Sequence, residues 1–415
     1  MYDVVVVGGG PAGLYAADCV ARQGWSVAVF EEHHEIGRPV HCTGILAKEA
    51  FRRFTLPQTS ILAEHGATRF YSPAGYELSY QTVTPEAVIV DRQSFDLGLA
   101  AQAQNRGARL FSGTRVTRIR RSDEGAALET SQGVFSGKLV ILATGAAYHL
   151  HRALGLGLPK QFLHTAQAEV DFPRRDEIGL YFGTTVASGS FAWVVPFQHC
   201  GHSKARIGLM AAKEAERAFA RFLHSQPIAS QIGSASLIRF RRRPIPLTPL
   251  SRTFAYRTLV VGDAAGLTKP TTGGGIYYSL LSAELAAATA QQALSQGDYS
   301  EKVLSRYERK WRSQCGRELR LGRWFRHYAE RLSDNQINDA FRLAMHPAVD
   351  HVIRESARFN SHGRLIQALA RNRHVQHFLL RLFATGGVAY RQWFRGARTF
   401  HPSSAGADNG LSLAS

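Results

Sequence analysis

Short apolar runs alternate with glycine turns and polar stretches through the first third of the chain. Residues 4–7 are four consecutive valines, and a second apolar run covers 27–30 after a stretch rich in small residues. Continuous apolar runs of this length, bounded by turn residues, are typical of strands buried on both faces of a parallel sheet. The pattern predicts a strand, a helix and a strand over residues 4–30.

Later segments extend this pattern. Residues 88–110 give a short strand followed by a helix. Two more strand patterns cover 116–120 and 134–142, and the second leads into the turn Ala143-Thr144-Gly145. Residues 258–261 run into another sharp turn. We therefore predict one sheet assembled from separate pieces of the chain.

The rest of the chain predicts two further regions. Residues 61–90 and 162–247 mix alternation with β-branched content, which predicts a second sheet over the ligand. From about residue 300 apolar residues recur largely at helical spacing, with arginines on the other face. These apolar residues are Leu304, Tyr307, Trp311, Cys315, Leu319, Phe325, Tyr328 and Leu332. Either core packing or an interfacial surface explains this stripe.

The first glycine turn carries a dinucleotide-binding pattern. Gly8, Gly10 and Gly13 follow a buried strand and open a helix, and Glu31 closes the next strand. In such a motif the first glycine permits the tight turn, the second lets the backbone approach a pyrophosphate, and the third lets the helix pack closely. The acid accepts hydrogen bonds from ribose hydroxyls. The sequence therefore predicts a dinucleotide site.

Composition and charge add a possible surface function. The 415 residues are 45% hydrophobic, enough for a large core and more than one lobe. The net charge is +18, and residues 301–400 hold 20 basic and 8 acidic side chains. Such a balance favours an anionic partner surface, and without a recognisable nucleic-acid module we favour a membrane surface over nucleic acid. A second interfacial candidate is 378–383 with the aromatic residues up to 394.

The four cysteines are widely spaced and predict neither a disulfide framework nor a zinc site. His199 and His202 flank Cys200 without further paired ligands, so no metal site is predicted. The N-terminus lacks a secretory signal pattern, and no uncharged run approaches the roughly 18 residues of a spanning helix. We expect a cytoplasmic protein and leave peripheral attachment to the inner membrane open.

The motifs occur in an order that resembles a known flavoprotein family. The N-terminal glycines, Ala143-Thr144-Gly145, the late Gly-Asp and the triple glycine resemble the glutathione-reductase-type FAD fold of flavoprotein hydroxylases. Within it, residues 39–44, 191–196 and 262–276 resemble the geranylgeranyl reductase family.

This resemblance implies an α/β fold with a discontinuous Rossmann-like FAD-binding domain, a mixed β-sheet substrate domain and a helical C-terminal region. The expected bounds are 1–60, 88–160 and 255–300 for the FAD-binding domain, 61–87 and 161–254 for the substrate domain, 301–400 for the basic helical region and 401–415 for a flexible tail.

The resemblance also implies the residues that contact FAD. The ADP part meets the first glycine turn and the acid, phosphates meet two arginines, and the flavin's pyrimidine edge meets the N–H groups of the triple glycine. The expected set is Gly8, Gly10, Pro11, Ala12, Gly13, Glu31, Arg38, Arg92, Ala143, Thr144, Gly145, Gly262, Asp263, Gly273, Gly274, Gly275 and Ile276.

The family uses reduced FAD to saturate carbon–carbon double bonds of prenyl chains on pigments, archaeal lipids or quinones. Cys42 would lie near the flavin and either supply a proton or shape the pocket, and the alternative is a buried apolar thiol. Phe191, Trp193 and Pro196 would contact the substrate. The chain departs from the family pattern at His41, where arginine or glutamine is usual, and at Phe191, where tyrosine is usual. Both changes bear on the polar head of the substrate.

Two other functions stay open at this point. A flavin monooxygenase or halogenase shares the fold, but halogenases need a dedicated lysine, and the first 137 residues contain only Lys48. A non-catalytic flavin- and prenyl-binding protein is the other alternative. No second glycine motif marks an NADPH site, so NADPH and ferredoxin are both open as reductants, and the oligomeric state is open too.

Overall fold

The computed structural model describes residues 1–226, 228–233 and 238–386. Strands and helices are numbered separately in chain order. The strands are β1 Tyr2–Val7, β2 Val27–Phe30, β3 Ile45–Ala47, β4 Ile61–His65, β5 Ala67–Tyr71, β6 Glu77–Gln81, β7 Ala87–Val90, β8 Arg109–Phe111, β9 Val116–Arg121, β10 Ala126–Thr130, β11 Gly133–Leu142, β12 Phe162–Asp171, β13 Glu177–Phe182, β14 Phe191–His199, β15 His202–Ala211, β16 Arg241–Pro246, β17 Phe254–Ala255 and β18 Thr258–Val260. The helices are α1 Pro11–Ala21, α2 Lys48–Arg53, α3 Arg92–Asn105, α4 Thr184–Ala187, α5 Ala215–Leu223, α6 Ile276–Gln296, α7 Glu301–Ala329, α8 Asp334–Ala344, α9 Pro347–Ser356, α10 Gly363–Arg371 and α11 Arg373–Gly386.

The first sheet confirms the predicted discontinuous Rossmann arrangement. Its main path runs β17-β18-β11-β1-β2-β8, and β1 pairs in parallel with both β2 and β11. Val4, Val5 and Val6 are fully buried because helices cover the sheet, which explains the continuous apolar run. Strands β9 and β10 extend β11 as an antiparallel ribbon.

The second sheet confirms the predicted mixed sheet, except that β4, at the start of the predicted range 61–90, lies in a separate small sheet. Its order is β16-β12-β15-β14-β13-β5-β6, and the pairs are antiparallel except for β5 with β13. One face packs against α5 through Phe219 and Phe222. The other face carries Trp193 and Met210 toward the interior of the molecule. The sheet is therefore covered on both sides.

The strand predicted near residue 88 belongs to neither large sheet. It is β7, and it pairs antiparallel with β3 and β4 in a small third sheet. The expectation that it completes the Rossmann sheet is wrong. All four β7 residues are buried, and a strand buried on both faces has the same apolar pattern in any sheet, so the sequence could not name its partners. The proposed domain bounds stay a prediction.

Helix α7 packs its apolar stripe into the core. The phenol of Tyr307 donates to the Val260 carbonyl at 2.7 Å, and the indole of Trp311 donates to Thr253 Oγ1 at 2.9 Å. Leu304 and Leu319 are also buried. Core packing therefore explains this face. Phe325 lies six residues past Leu319, about 240° around the helix, and is 41% exposed.

The later helices pack into a small cluster of their own. Val349, Ala370, Val375 and Leu379 form its buried centre. Leu379 belongs to the second interfacial candidate and is buried here, whereas the part of that candidate from residue 387 onward and the predicted tail lie outside the described residues. Among the helices of the described ranges, none combines the length and apolar content needed to cross a bilayer.

Candidate active site

A cavity of about 980 Å³ lies where the first sheet, the second sheet and the C-terminal helices meet. The turns after three parallel strands open into it: Gly8-Gly9-Gly10 after β1, Glu31 after β2, and Ala143-Thr144-Gly145 after β11. Open parallel sheets bind ligands at the carboxyl ends of their strands. The volume is at the upper end of the usual range for ligand sites of roughly 300–1,000 Å³.

The glycine turn fits close approach of a dinucleotide. Gly8 has φ +111°, and a Cβ there would lie 2.3 Å from the Ala143 carbonyl oxygen. A Cβ on Gly13 would lie 1.9 Å from the Gly8 carbonyl oxygen, so this position holds helix against strand. A Cβ on Gly10 would meet no atom within 4 Å among the residues described, and Gly10 lines the cavity. The space beside Gly10 is therefore open to a ligand.

Two helix N-termini point into the cavity. Helix α1 begins after Gly10 and α6 after Gly275, and no side chain caps either end. Uncapped helix N-termini offer free N–H groups and a partial positive charge to an anion. Residues from both ends, including Ile276, line the cavity. The arrangement fits a pyrophosphate at α1 and the pyrimidine edge of a flavin at α6.

Glu31 and Arg38 line the same end but already have protein partners. The Gly9 N–H donates to Glu31 Oε2 at 2.6 Å, and His33 lies against Oε1. The Arg38 guanidinium donates to Gln93 Oε1 at 2.9 Å and lies 3.3 Å from the Glu35 carboxylate. Both side chains are therefore held by protein contacts where they line the cavity.

Cys42 lies next to a buried ion pair. The Arg92 guanidinium bonds Asp96 at 2.9 Å, and both side chains are largely buried. Burial alone would lower the pKa of Arg92, but Asp96 and the Cys42 thiol outweigh it and raise that pKa. The Gly44 N–H donates to Cys42 Sγ at 3.3 Å. A fixed cation therefore stands beside the thiol.

The loop that carries Cys42 is held by the second sheet. Thr43 Oγ1 donates to Gln167 Oε1 at 2.6 Å, and the Trp193 indole approaches the same oxygen at 3.3 Å. The buried Arg206 guanidinium donates to the carbonyls of Thr43 and Val90 at 2.7 and 2.9 Å. These contacts fix the Cys42 loop where the two sheets meet.

Charged side chains surround His41 and Asp263, which both line the cavity. Burial, followed by the charges of Arg243 and Arg241, lowers the pKa of His41 to about 4. His41 is therefore neutral at pH 7, and its buried Nδ1 has no hydrogen-bond partner within the described part of the chain. Burial raises the pKa of Asp263, although Arg243 and Arg92 oppose that rise. Positively charged arginines therefore act on both His41 and Asp263.

The opposite end of the cavity is apolar and is built by the second sheet and the C-terminal helices. Phe191 and Trp193 belong to this wall. The other apolar side chains include Phe70, Leu78, Tyr80, Ile178, Leu180, Phe325, Ala344, Ile353, Phe359, Leu365, Ile366 and Leu369. Phe325 is exposed at the helix surface because it faces this space. Such a wall suits a long hydrocarbon chain.

Pro196 is not part of that wall. Successive side chains on a strand point to opposite faces, so Pro196, three residues after Trp193, faces the other side of the sheet. Its carbonyl lies 2.8 Å from His65 Nε2, beside a separate small cavity. Pro196, expected to contact the substrate, therefore does not line the main cavity.

The loop from residue 268 to 275 carries a buried lysine that sequence reasoning missed. Lys269 lines the cavity and donates to the Phe359 carbonyl at 2.8 Å and to Asn360 Oδ1 at 3.1 Å. Burial lowers the pKa of Lys269 to about 8. The sequence signal that could have indicated Lys269 is its position between the Gly-Asp motif at 262–263 and the triple glycine at 273–275. Arg243 was missed too, because its run of arginines resembles a solvated surface.

Most residues of the predicted cofactor set line the cavity together with Cys42, Phe191 and Trp193. Gly13 and Gly262 lie behind it. The Gly262 N–H donates to Ser282 Oγ, and a Cβ there would lie 2.9 Å from Ser279 Oγ, so Gly262 is packed under α6. Lys48 does not line the cavity and pairs with Glu64 at 2.5 Å.

Comparisons with known proteins agree with this geometry. The family model for FAD dependent oxidoreductases matches residues 46–182, and that for NAD(P)-binding Rossmann-like domains matches residues 6–78. Fold and site together define an FAD-dependent oxidoreductase.

Two archaeal relatives narrow the class. The digeranylgeranylglycerophospholipid reductase of Methanocaldococcus jannaschii is 29% identical over 367 residues, covering 85% of this chain and 92% of the relative. Digeranylgeranylglycerophospholipid reductase 2 of Methanothermobacter thermautotrophicus is 31% identical over 360 residues, covering 82% and 91%. This chain belongs to the geranylgeranyl reductase family.

Solved structures share the fold. A geranylgeranyl bacteriochlorophyll reductase-like protein from Thermoplasma acidophilum superposes with a TM-score of 0.80 at 24% identity, over 92% of this chain and 99% of that one. A flavin-dependent brominase superposes less closely, with a TM-score of 0.67 at 16% identity, over 94% and 100%.

Proposed function

We propose that this protein reduces carbon–carbon double bonds in the prenyl chain of a lipid, with FAD as its cofactor. The observation that carries the proposal is one continuous cavity with dinucleotide motifs at one end and an apolar wall at the other. Relatives named digeranylgeranylglycerophospholipid reductase make a phospholipid with geranylgeranyl chains the first substrate to test. Pigments and quinones with the same chain are the other candidates.

When bound and reduced, FAD supplies a hydride to one alkene carbon. The apolar wall holds the chain and excludes water, which is needed because an unactivated alkene accepts hydride poorly. The N–H groups at the start of α6 stabilise negative charge at the pyrimidine edge. Cys42 Sγ holds the proton for the second alkene carbon, and the Arg92 guanidinium lies beside it.

The electron donor is either NADPH or a ferredoxin. Neither needs a second glycine motif, since NADPH can bind transiently and an acidic ferredoxin can dock on a basic surface. Anaerobic mixing of the oxidised holoprotein with NADPH or with reduced ferredoxin distinguishes them. The donor is the one that bleaches the flavin absorbance at catalytic rates.

We also propose that the protein docks on an anionic membrane surface. The side of α7 opposite its buried stripe carries exposed basic side chains, and a lipid substrate must be taken from a bilayer. The exposed basic residues on this helix include Lys302, Arg309, Lys310, Arg312, Arg320 and Arg323. Clustered basic residues attract anionic lipid headgroups through the surface potential.

The proposal is tested by product mass after a single anaerobic turnover. Dithionite-reduced holoprotein, freed of excess dithionite, is incubated with digeranylgeranylglycerophospholipid, geranylgeranyl diphosphate or a menaquinone. A gain of two hydrogens per reduced bond, with oxidised flavin returning, supports the proposal and identifies the substrate class.

Other results would contradict it. If the flavin stays reduced until air is admitted and a product then gains oxygen, the chemistry is that of a monooxygenase. If a prenyl lipid binds under both aerobic and anaerobic conditions but its mass never changes, the protein only carries flavin and lipid.

A further inference from the structure

Arg243 places its guanidinium in the cavity, beside the turn that contains Gly145. It lies on β16, the edge strand of the second sheet, and lines the cavity. A Cβ on Gly145 would lie 2.4 Å from Arg243 Nη2, so the guanidinium covers that turn. Within the described ranges its nitrogens form no hydrogen bond or ion pair, whereas its carbonyl accepts from Thr165 Oγ1 at 3.0 Å. The backbone of β16 is therefore held in place at Arg243, while the guanidinium is available to a ligand in the cavity.

Arg38 and Arg92, which the family resemblance assigns to phosphate, differ from Arg243 because their guanidinium groups already have protein partners. Arg38 is held by Gln93 and Glu35, and its side chain is 60% exposed. Arg92 forms an ion pair with Asp96. A cationic group already paired with a carboxylate has less to gain from a phosphate than an open one. Arg243 is therefore the better candidate for an anion.

The surroundings of Arg243 indicate where that anion lies. Its charge acts on His41, Tyr148 and Asp263, and the Tyr148 phenol donates to the Asp263 carbonyl at 2.9 Å. His41 and Asp263 line the cavity together with Gly145, and Tyr148 follows Gly145 in the segment after β11. The apolar side chains that the second sheet contributes to the wall come from β14, β13, β5 and β6, whereas Arg243 lies on β16 at the other edge of that sheet. A phosphate at Arg243 is thus on the cofactor side.

We propose that Arg243 binds a phosphate group in this cavity and that the phosphate belongs to the cofactor's pyrophosphate. A planar guanidinium can make two parallel hydrogen bonds to phosphate oxygens, which a lysine cannot. Because Arg243 comes from the second sheet, the cofactor joins the two sheets through this contact. The inference rests on the proposed function only in assigning FAD to the cavity, and its test requires no turnover.

The test compares FAD and riboflavin binding to apoprotein, followed by flavin fluorescence. The variants are Arg243→Gln and Arg243→Lys. Arg242→Gln is the matched control, because Arg242 is the next residue on the strand, faces the other side and pairs with Glu216 on α5. Far-UV circular dichroism verifies that each variant is folded.

We expect Arg243→Gln to raise the Kd for FAD by about 10- to 100-fold, the effect of one or two charge-assisted hydrogen bonds. Arg243→Lys falls between it and the wild type. The Kd for riboflavin, which has no phosphate, stays within about 3-fold in all variants. Arg242→Gln binds both flavins as the wild type does.

A second measurement separates the two sources of phosphate. Holoprotein is titrated with digeranylgeranylglycerophospholipid and with geranylgeraniol, followed by protein fluorescence. If Arg243→Gln weakens only the phospholipid and leaves FAD unchanged, the phosphate is the lipid headgroup and the assignment to the cofactor is wrong. If neither ligand is weakened in a folded variant, Arg243 binds no phosphate. If FAD and riboflavin are weakened equally, its role is structural.

Discussion

At the scale of single residues, the three glycines of the first turn meet different physical demands. Gly8 and Gly13 are fixed by close contacts between β1, α1 and β11, where a Cβ would overlap a carbonyl oxygen. A Cβ on Gly10 would meet no atom of the described residues within 4 Å. One sequence motif therefore combines two packing positions with one position that faces the ligand.

This division predicts different effects of two equal substitutions. Gly13→Ala should lower the free energy of unfolding of the apoprotein by about 2 kcal/mol or more, because a Cβ would lie 1.9 Å from the Gly8 oxygen. Gly10→Ala should leave that quantity within about 0.5 kcal/mol and weaken FAD binding instead. Urea unfolding of the apoproteins and FAD titration measure the two effects. Equal destabilisation by both variants would contradict this reading.

Cys42 is the residue on which the proposed proton transfer depends. We expect Cys42→Ala to bind FAD normally and to be reduced by dithionite, but to form saturated product at least about 100-fold more slowly, the lower end of the usual range for loss of a general acid. Single-turnover product analysis measures this. Cys19→Ala, at a buried thiol outside the cavity, is the control for general thiol loss. A decrease of less than about 3-fold would make Cys42 a space-filling side chain.

At the scale of elements, a polar cluster joins α7, α10 and the loop from 268 to 275. Glu318 on α7 accepts from the His362 and Gly363 N–H groups at 2.6 and 3.0 Å, where α10 begins. Thr271 Oγ1 lies 2.6 Å from His362 Nδ1. Together with Lys269, these contacts fix the C-terminal wall of the cavity to the loop that precedes α6.

The cluster predicts a pH-dependent stability. Burial and the charge of Lys269 lower the pKa of His362 from 6.5 to about 4. Between these values the unfolded state binds a proton that the folded state does not, so the free energy of unfolding falls as the pH is lowered. Between pH 6.5 and 5, His362→Gln should lose about 1 kcal/mol less stability than the wild type, after allowance for the partial exposure of the ring.

Urea unfolding at the two pH values measures this difference. The exposed His327→Gln on α7 is the matched control and should follow the wild type. The interpretation fails if His362→Gln and the wild type lose equal stability over this interval.

At the scale of the whole molecule, the net charge is +18, and helix α7 has one buried apolar face and one exposed basic face. The apolar face holds the helix to the core, so the basic face alone is free for an anionic surface. Attraction between exposed charges is screened by salt over about 8–10 Å.

Vesicle binding should therefore depend on charge and salt. We expect the holoprotein to co-float with vesicles containing 30% phosphatidylglycerol at low salt, and to be released at about 0.5 M salt. The triple change of Arg309, Arg320 and Arg323 to glutamine should weaken binding about 100-fold, because three charges at roughly 1 kcal/mol each near the surface contribute about 3 kcal/mol. The control that keeps the charge is the change of the same three residues to lysine. Equal binding to purely zwitterionic vesicles would contradict an electrostatic surface.

The sequence by itself determined the features that depend on local order along the chain. Buried strands need unbroken apolar runs and tight turns need glycine, so β1, β2, β11, β18 and the first ligand turn could be predicted from neighbouring residues. Resemblance to a family added the flavin, and the family is now shown by relatives of similar length.

Only the tertiary structure decided what depends on partners distant in the chain. The apolar pattern of β7 suits any sheet, and the odd spacing from Trp193 places Pro196 outside the cavity once the register of β14 is known. Arg243 and Lys269 gain their significance from Gly145, Asp263 and Asn360, which lie up to about a hundred residues away. Burial and charge at a site are sums over such neighbours, and no local pattern encodes them.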